Sequence, residues 1–519
     1  MKKRIKEENY NVKNSASRLV FAAFAVIVQI SWITVLYYVL EAYNPWLSYL
    51  MSVAAVIITV AIYSSRFSPD TKLPWIILIA FAPVMGVLLY VLMNFPGLTG
   101  RYRRSFSDIN QKFTEYLIQD PEVTKELEEI DFHVANQTRY LSNCVGYPVY
   151  KNNDIHYFNN TTDAFNSLKE NIKKAESFIF MEYHAIEDAE SFSEIHELLA
   201  EKSRQGVIVR IIYDDVGSFS FINSEFIRKM AADDIECRVF NRIMPLINLF
   251  MNNRDHRKMT IIDGKMAFTG GYNLANKYFN REENSRYGHW KDVGIEIEGD
   301  AVNSFTVMFL EMWNAIKDTD TDYDQFLVKN HYQANETSGF AQPYGDTPLD
   351  HEHTGENVYL DLIKDAQHYL YIMTPYLILS EQMRHELTMA AKRGVQISIV
   401  TPGIPDKKLV YEMTRSYYAQ LVKDNIHIYE YKPGFCHGKV VIADDEIAIV
   451  GTINFDFRSF YHHFENAVLL YHYRCIHDIK KDFENTFRLC EDVTAKYQQQ
   501  LPIYRRIYQS ILRLFAPLI

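Results

Sequence analysis

The sequence predicts an α/β protein made by duplication: two similar α/β sandwich domains packed face to face, behind an amino-terminal helical membrane region. Three observations lead there. Strings of one spacing recur at 256–273 and 437–454, each follows short β-rich runs alternating with amphipathic stretches, and three long uncharged apolar runs fill the first hundred residues. A chain of 519 residues is too long for a single core.

The apolar runs cover 19–40, 46–63 and 73–93. The first has 22 uncharged residues between Arg18 and Glu41, enough to cross a hydrocarbon core. A signal peptide would be shorter and carry a small-residue cleavage site. Lys2, Lys3, Arg4, Lys6, Lys13 and Arg18 favour a cytoplasmic amino terminus, yet Arg101, Arg103 and Arg104 favour the same side. Three full crossings cannot satisfy both groups. Pro83 and Gly86 permit a kink or a shallow re-entrant passage in the third run. Residues 1–100 are therefore expected to anchor the chain by two crossings and an interfacial segment, with 101–146 as connector. A bilayer is an expected partner and a multi-pass place in the cell membrane is expected, with the side of the catalytic domain left open.

A formal charge of −11 gives no global attraction to nucleic acid, which is not an expected partner. Cys144, Cys237, Cys436, Cys475 and Cys490 are scattered and lack the spacing of a zinc site, so they read as reduced thiols.

The first soluble domain is expected over 147–316 and the second over 357–490. Strand-like SFIFMEY (177–183) and VIVRIIYDD (207–215) match YLYIMTPY (369–376) and VQISIVTP (395–402), and a glycine turn precedes the second strand of each pair at 204–207 and 392–395. Duplicated units of this kind usually place a site between them. Between them, 317–356 reads as a polar linker. Its DTDTDYD (318–324) lacks the glycine and the distal glutamate of an EF-hand loop, and His351 and His353 have no partners at metal spacing. At the end, 491–519 is expected to hold an amphipathic helix with Ile507, Ile511, Leu514 and Phe515 on one face and Arg505, Arg506 and Arg513 elsewhere. Such a helix either lies on a membrane or packs on the domain.

The repeated strings both read H-x-K-x4-D-x6-G-x2-N. They contribute His256, Lys258, Asp263, Gly270 and Asn273 from one half and His437, Lys439, Asp444, Gly451 and Asn454 from the other. One chance match in a chain this long has a probability on the order of one in ten thousand. His and Lys two apart on a strand project from one face. The turns at Asp263-Gly264 and Asp444-Asp445 bring the Gly and Asn back toward the same end. Two imidazoles, two ammonium groups and two carboxamides around one point suit a phosphate. Asp263 and Asp444 belong to the candidate catalytic motif, but at +7 across a turn they read mainly as strand anchors.

These paired motifs resemble the HKD motifs of the phospholipase D superfamily, and the likeness covers nearly all of 147–490. The strings at 374–406, 415–422, 425–439 and 454–467, with GGYNLANKYFN (270–280) and WKDVGIEIEGDAV (290–302), are similar to bacterial cardiolipin synthases. PWIILIAFAPVMGVLLYVL (74–92) resembles their membrane segment. Cys436, Asn276 and the extra apolar run depart from the family pattern. The resemblance implies transfer of a phosphatidyl group from one phosphatidylglycerol to another with release of glycerol. It also implies a phosphohistidine on His256, with His437 as an imidazolium acid and then a base. Lys258, Lys439, Asn273 and Asn454 would hold the phosphate, and Asp292 and Glu465 would fix the histidine tautomers. Phe435, Phe455, Phe457 and Phe460 are candidates for a wall that excludes water, with core packing as the alternative role for each.

A hydrolytic phospholipase D or another phosphatidyltransferase would share these residues. A superfamily endonuclease would gain from a basic surface and need no apolar runs, and a non-enzymatic scaffold would tolerate loss of one motif. Oligomeric state is open. No cofactor or metal is expected, so activity should survive EDTA; abolition by EDTA and restoration by one divalent ion would overturn that expectation.

Overall fold

The computed structural model describes residues 46–94, 106–242, 253–499 and 502–518 apart from isolated positions, with scattered residues between 24 and 44. The first apolar run and Arg101, Arg103 and Arg104 lie largely or wholly outside the described residues. The second run forms α1 (Trp46–Ser64). The third breaks at Ala82 into α2 (Pro69–Phe81) and α3 (Pro83–Asn94). A Cβ on Gly86 would lie 2.7 Å from the Ile79 Cα. In one continuous helix, residues seven apart are separated by about 10 Å along the axis, so the chain has doubled back. Trp75 meets Tyr90 across this hairpin, ring centroids 5.4 Å apart. Among the described residues no helix is long and apolar enough to cross a membrane.

Two sheets carry the rest. The first half supplies β1 (Asn153–Phe158), β2 (Phe178–Tyr183), β3 (Ile208–Asp214), β4 (Glu236–Phe240), β5 (Arg254–Asp255), β6 (Lys258–Ile262), β7 (Met266–Gly270), β8 (His289–Lys291) and β9 (Gly294–Gly299). The second supplies β10 (Phe340–Asp346), β11 (Tyr369–Met373), β12 (Gln396–Pro402), β13 (His427–Tyr431), β14 (Gly434–Cys436), β15 (Val440–Ala443), β16 (Ile447–Gly451), β17 (His463–Tyr471) and β18 (Cys490–Asp492). Strand order is β1-β9-β7-β6-β2-β3-β4 in one sheet and β10-β17-β16-β15-β11-β12-β13, then β18, in the other. The seven-strand order is the same in both, which is the duplication seen in three dimensions. In each, three strands are parallel (β2, β3, β4 and β11, β12, β13) and the motif hairpin runs antiparallel beside them.

Two short strands are exchanged between the halves. β5 of the first pairs with the start of β17, and β14 of the second pairs with β8. A buried helix, α4 (Val302–Ile316), lies against the first sheet, where Phe309 stacks on Phe180 at 4.5 Å.

Two boundaries differ from the sequence reading. The expected linker contains β10, which is fully buried against β17, so the second half starts at Phe340 rather than 357. FAQPYGD reads as polar, and Pro343 is tolerated because β10 is an edge strand. In the same stretch, Asp320 makes a bidentate pair with Arg210 at 2.8 and 2.9 Å instead of facing solvent. The connector is part of the core: Phe106, Ile109, Phe113, Leu117 and Leu127 are buried, and the Phe106 ring lies 5.2 Å from that of Phe464. All five cysteines are free.

The last helix, α5 (Ile503–Leu514), docks through buried Leu512 and an Arg513 hydrogen bond of 2.7 Å to the Ser416 carbonyl. It leaves Ile503, Tyr504, Ile507, Tyr508, Ile511 and Phe515 exposed, as α1 leaves Trp46, Leu50, Val56 and Tyr63. A chain shortened to start at Phe106 should therefore keep its fold and need less detergent. One starting at Asp131 loses five core side chains and should be destabilised by about 5 kcal/mol or more, read as a lowered Tm. Equal Tm values would show that 106–130 adds nothing to the core.

Candidate active site

The exchanged strands build the site. β5 ends one residue before His256, and β14 ends one residue before His437. Pairing of β5 with β17 continues into a hydrogen bond from the His256 N–H to the Phe464 carbonyl (2.8 Å), and pairing of β14 with β8 continues into one from the His437 N–H to the Lys291 carbonyl (2.7 Å). The next residue on each partner strand is an acid. Glu465 therefore meets His256 and Asp292 meets His437, so each histidine is held by the acid of the other half. His256 Nδ1 lies 2.8 and 2.9 Å from the two Glu465 oxygens, and His437 Nδ1 lies 2.7 Å from Asp292 Oδ2. When ionised, these acids only accept, and each Nδ1 then carries the hydrogen while each Nε2 keeps its lone pair.

The acids are themselves fixed. Glu465 accepts from Thr452 Oγ1 at 2.5 Å, and Asp292 Oδ1 accepts from the Val293 N–H at 3.0 Å. Gly271 occupies the place that Thr452 has in the second motif, and a Cβ there would lie 2.0 Å from Asp292 Oδ1. Gly270 and Gly451 are small for a related reason: added Cβ atoms would meet the Val293 and Asn466 carbonyl oxygens at 2.4 Å.

Lys258 and Lys439 are buried, and each Nζ donates to the carbonyl of its own histidine at 2.5 Å. Lys439 Nζ also lies 2.8 Å from His437 Nδ1. Burial lowers Lys258 to about 7 against the pull of Glu465 and with the help of Lys439, and lowers Lys439 to about 8 against the pull of Asp292 and Glu465. Burial and the lysines push both imidazoles well below the usual histidine value. Lys439 acts on His256 and Lys258 on His437, so the two motifs share one electrostatic site. Burial lifts Asp292 to about 6 against the pull of Lys439, and lifts Glu465 further against the pull of Lys258. Burial around His437 thus favours its neutral ring over the expected imidazolium.

Other expected residues fall differently. Asp263 and Asp444 lie at the far ends of the motif hairpins and do not reach the histidines. Asp263 accepts from the N–H groups of Glu176, Ser177 and Phe178 at 2.7 to 2.9 Å, and Asp444 from those of Gln367, His368 and Tyr369 at 2.7 to 2.8 Å. They tie the turn to the start of β2 or β11 and touch no reacting group. Asn273 accepts from the Ala185 N–H and donates one amide hydrogen to the Tyr278 hydroxyl, both at 2.9 Å. Among the described residues the Asn454 carboxamide oxygen is buried without a hydrogen bond. Of the four phenylalanines, Phe435 faces His437, at 5.7 Å between ring centroids. Phe455 and Phe460 pack on Tyr359 and Phe457 on Tyr461, within the core.

The sequence reading missed His184 and His463, whose rings flank His256 at 5.0 and 5.1 Å. It also missed Tyr278 and Trp290, which flank His437 at 5.4 and 5.2 Å. His184 directly follows the carboxyl end of β2, the edge where ligands meet such sheets, and that position was the available signal. His463 Nδ1 lies 3.3 Å from Glu465 Oε1, and Arg458 Nε donates to its Nε2 at 3.3 Å. His256, His463 and Glu465 bring three ligand-type atoms within 4.8 Å of one another, although none was expected at metal spacing. Hydrogen bonds within the group and from Thr452 already occupy those oxygens.

A duplicated α/β fold that closes two H-x-K hairpins on one electrostatic site is a phospholipase D-like fold. Comparison with known proteins narrows the family. The family model described as "Cardiolipin synthase, PLD-like domain" matches residues 168–313 and 359–487. An uncharacterized protein of Streptococcus mutans is 39% identical over 88% of this chain and 98% of its own, and cardiolipin synthase 1 of Bacillus cereus is 30% identical over 91% and 93%. The crystal structure of phosphatidylserine synthase from Haemophilus influenzae shares the fold, with a TM-score of 0.54 at 15% identity over 70% of this chain and 93% of that one. The chain belongs to the cardiolipin synthase family of phospholipase D-like proteins.

Lys258 and Lys439 lose their charge as pH rises through about 7 and about 8, and kcat/KM reports the free enzyme. It should fall across that range as phosphate binding weakens. Lys439→Arg, which does not titrate there, should carry the upper limb to higher pH at whatever activity remains; an unmoved limb would assign it to another group.

Proposed function

We propose that this protein is a cardiolipin synthase that works through a phosphohistidine. The observation that carries the reading is the crossed pair of His–acid contacts, which gives two neutral imidazoles with free Nε2 atoms beside two buried ammonium groups. His256 Nε2 attacks the phosphorus of one phosphatidylglycerol, and the bond from phosphorus to the headgroup glycerol oxygen breaks. His437 protonates that oxygen, so glycerol leaves neutral. Burial disfavours the charged His437 in the empty site; an anionic phosphodiester arriving beside it offsets the penalty and favours the imidazolium. His437 then takes the proton from a hydroxyl of a second phosphatidylglycerol. That oxygen attacks phosphorus, the phosphorus–nitrogen bond breaks, and cardiolipin leaves with His256 restored. Lys258 and Lys439 stabilise the nonbridging oxygens of the transition state.

Tyr278, Trp290 and Phe435 beside His437 support transfer over hydrolysis, because apolar walls on the acceptor side keep water scarce. The exposed apolar faces of α1 and α5 support action at a lipid surface.

Purified protein given phosphatidylglycerol in mixed micelles should release free glycerol and form cardiolipin in excess of phosphatidic acid. His256→Ala and His437→Ala should each lower turnover by several orders of magnitude, and the acid-labile lipid adduct of the native protein should map to His256. Phosphatidic acid as the main product at every lipid density would make this a hydrolase, and an adduct on His437 would exchange the two roles.

A further inference from the structure

Lys277 stands in a short turn (Asn276–Phe279) fixed at both ends. The Asn276 carboxamide accepts from the Ser191 N–H and hydroxyl at 2.9 and 2.8 Å, while Asn280 exchanges hydrogen bonds of 2.7 and 3.0 Å with the Trp290 backbone. The turn aims the Lys277 ammonium over four rings: Tyr278 and Trp290 at 5.2 Å, Phe221 and Tyr287 at 5.9 Å. Two of those rings are the ones that flank His437. Among the described residues Lys277 makes no hydrogen bond and no ion pair. Its ring cage is a weak substitute for a carboxylate and leaves the ammonium able to take an anion.

Lys407 of the second half approaches from the other side, 5.8 Å from the Tyr376 ring. Tyr376 packs on Phe435 and donates to Asp406 Oδ2 at 2.6 Å. Asp406 Oδ1 is buried and accepts no hydrogen bond among the described residues. Both lysines act electrostatically on His437, and Lys407 acts on Lys277. Asp406, Glu187 and Glu282 act on Lys277 in the opposite sense, and burial lowers its pKa. Two ammonium groups and one carboxylate oxygen, all beside the proposed acceptor base, remain unused by the reaction as written.

We propose that Lys277, Lys407 and Asp406 form a subsite for the headgroup of the acceptor lipid, the lysines binding its unreacting phosphodiester and Asp406 Oδ1 accepting its secondary hydroxyl. This inference rests on the synthase reading above. Two phosphates must then be held at once, the one that reacts and the one that only positions its glycerol. The motif lysines serve the first. In an acceptor phosphatidylglycerol the second phosphate lies three carbons from the attacking hydroxyl, so it needs cations outside the motif and on the His437 side, where Lys277 and Lys407 stand.

The experiment supplies phosphatidylglycerol as donor to the full-length protein with one of three acceptors, each labelled in its glycerol so that transfer is read as label entering the lipid product. Free glycerol has no phosphate, glycerophosphoglycerol has the same phosphodiester without acyl chains, and phosphatidylglycerol has both. Lys277→Gln should lower transfer to each of the two phosphate-bearing acceptors about tenfold relative to transfer to glycerol. Lys407→Gln should act in the same direction, and Lys277→Arg should keep the native ratios. A parallel loss with all three acceptors would make Lys277 structural, unchanged ratios would leave the acceptor phosphate elsewhere, and a loss confined to phosphatidylglycerol would make the effect one of the lipid surface; each overturns the subsite. If the native protein forms only phosphatidic acid, the synthase reading fails first, and that result is distinct from all three.

Discussion

The site depends on two short strand exchanges. A backbone pair such as His463 with Arg254 fixes register to within a residue, because a slip by one turns every side chain to the other face. With that register, the residue after Phe464 must be beside His256, and the residue after Lys291 must be beside His437. Neither half holds its own His–acid pair. His256 waits for Glu465 from 209 positions away, and His437 for Asp292 from 145 positions away. Anything that loosens the contact between halves removes both orienting acids together, which ties the chemistry to the packing of Phe106 on Phe464 and of Phe435 on Trp290.

This explains what could be read from the sequence. Spacing within a hairpin is local, so H-x-K, the Asp turn and the small residue at the hairpin end were legible, and so was the repeat of strands and glycine turns. Asp292 and Glu465 were recognisable as positions, but which histidine each would hold was not, because the answer lies in pairing between distant segments. Composition misled in two places. FAQPYGD looks like a linker because the edge of a buried sheet tolerates proline and glycine, and the connector looks incidental because its apolar residues are spaced among many charges. The third apolar run showed its break through Pro83 and Gly86, but not that Gly86 would lie against Ile79. His184 and His463 carried no repeated pattern, since the halves diverge just there.

Burial makes the empty site electrostatically uneasy. Two ammonium groups and two carboxylates sit out of water, and desolvation moves each toward neutrality: lysines down, acids up. Breaking one such partner from the others leaves an unpaired buried charge, which costs far more than the intact set gains. The lysines, folded back on the carbonyls of their own histidines, are held by contacts that a phosphate can replace with stronger ones. On the proposed mechanism, an arriving anion would restore the cationic lysines and the imidazolium together.

The two histidines share a motif but not a setting. Around His256 stand His184, His463 and the Thr452–Glu465 contact, a polar shell whose hydrogen bonds fix the ring in place. Around His437 stand the aromatic rings of Tyr278, Trp290 and Phe435. A nucleophile gains from a fixed ring, because attack on phosphorus requires alignment. A proton carrier that must choose between water and a lipid hydroxyl gains from a dry wall. The duplicated frame supplies two equivalent positions, and the residues packed against each frame make them unequal.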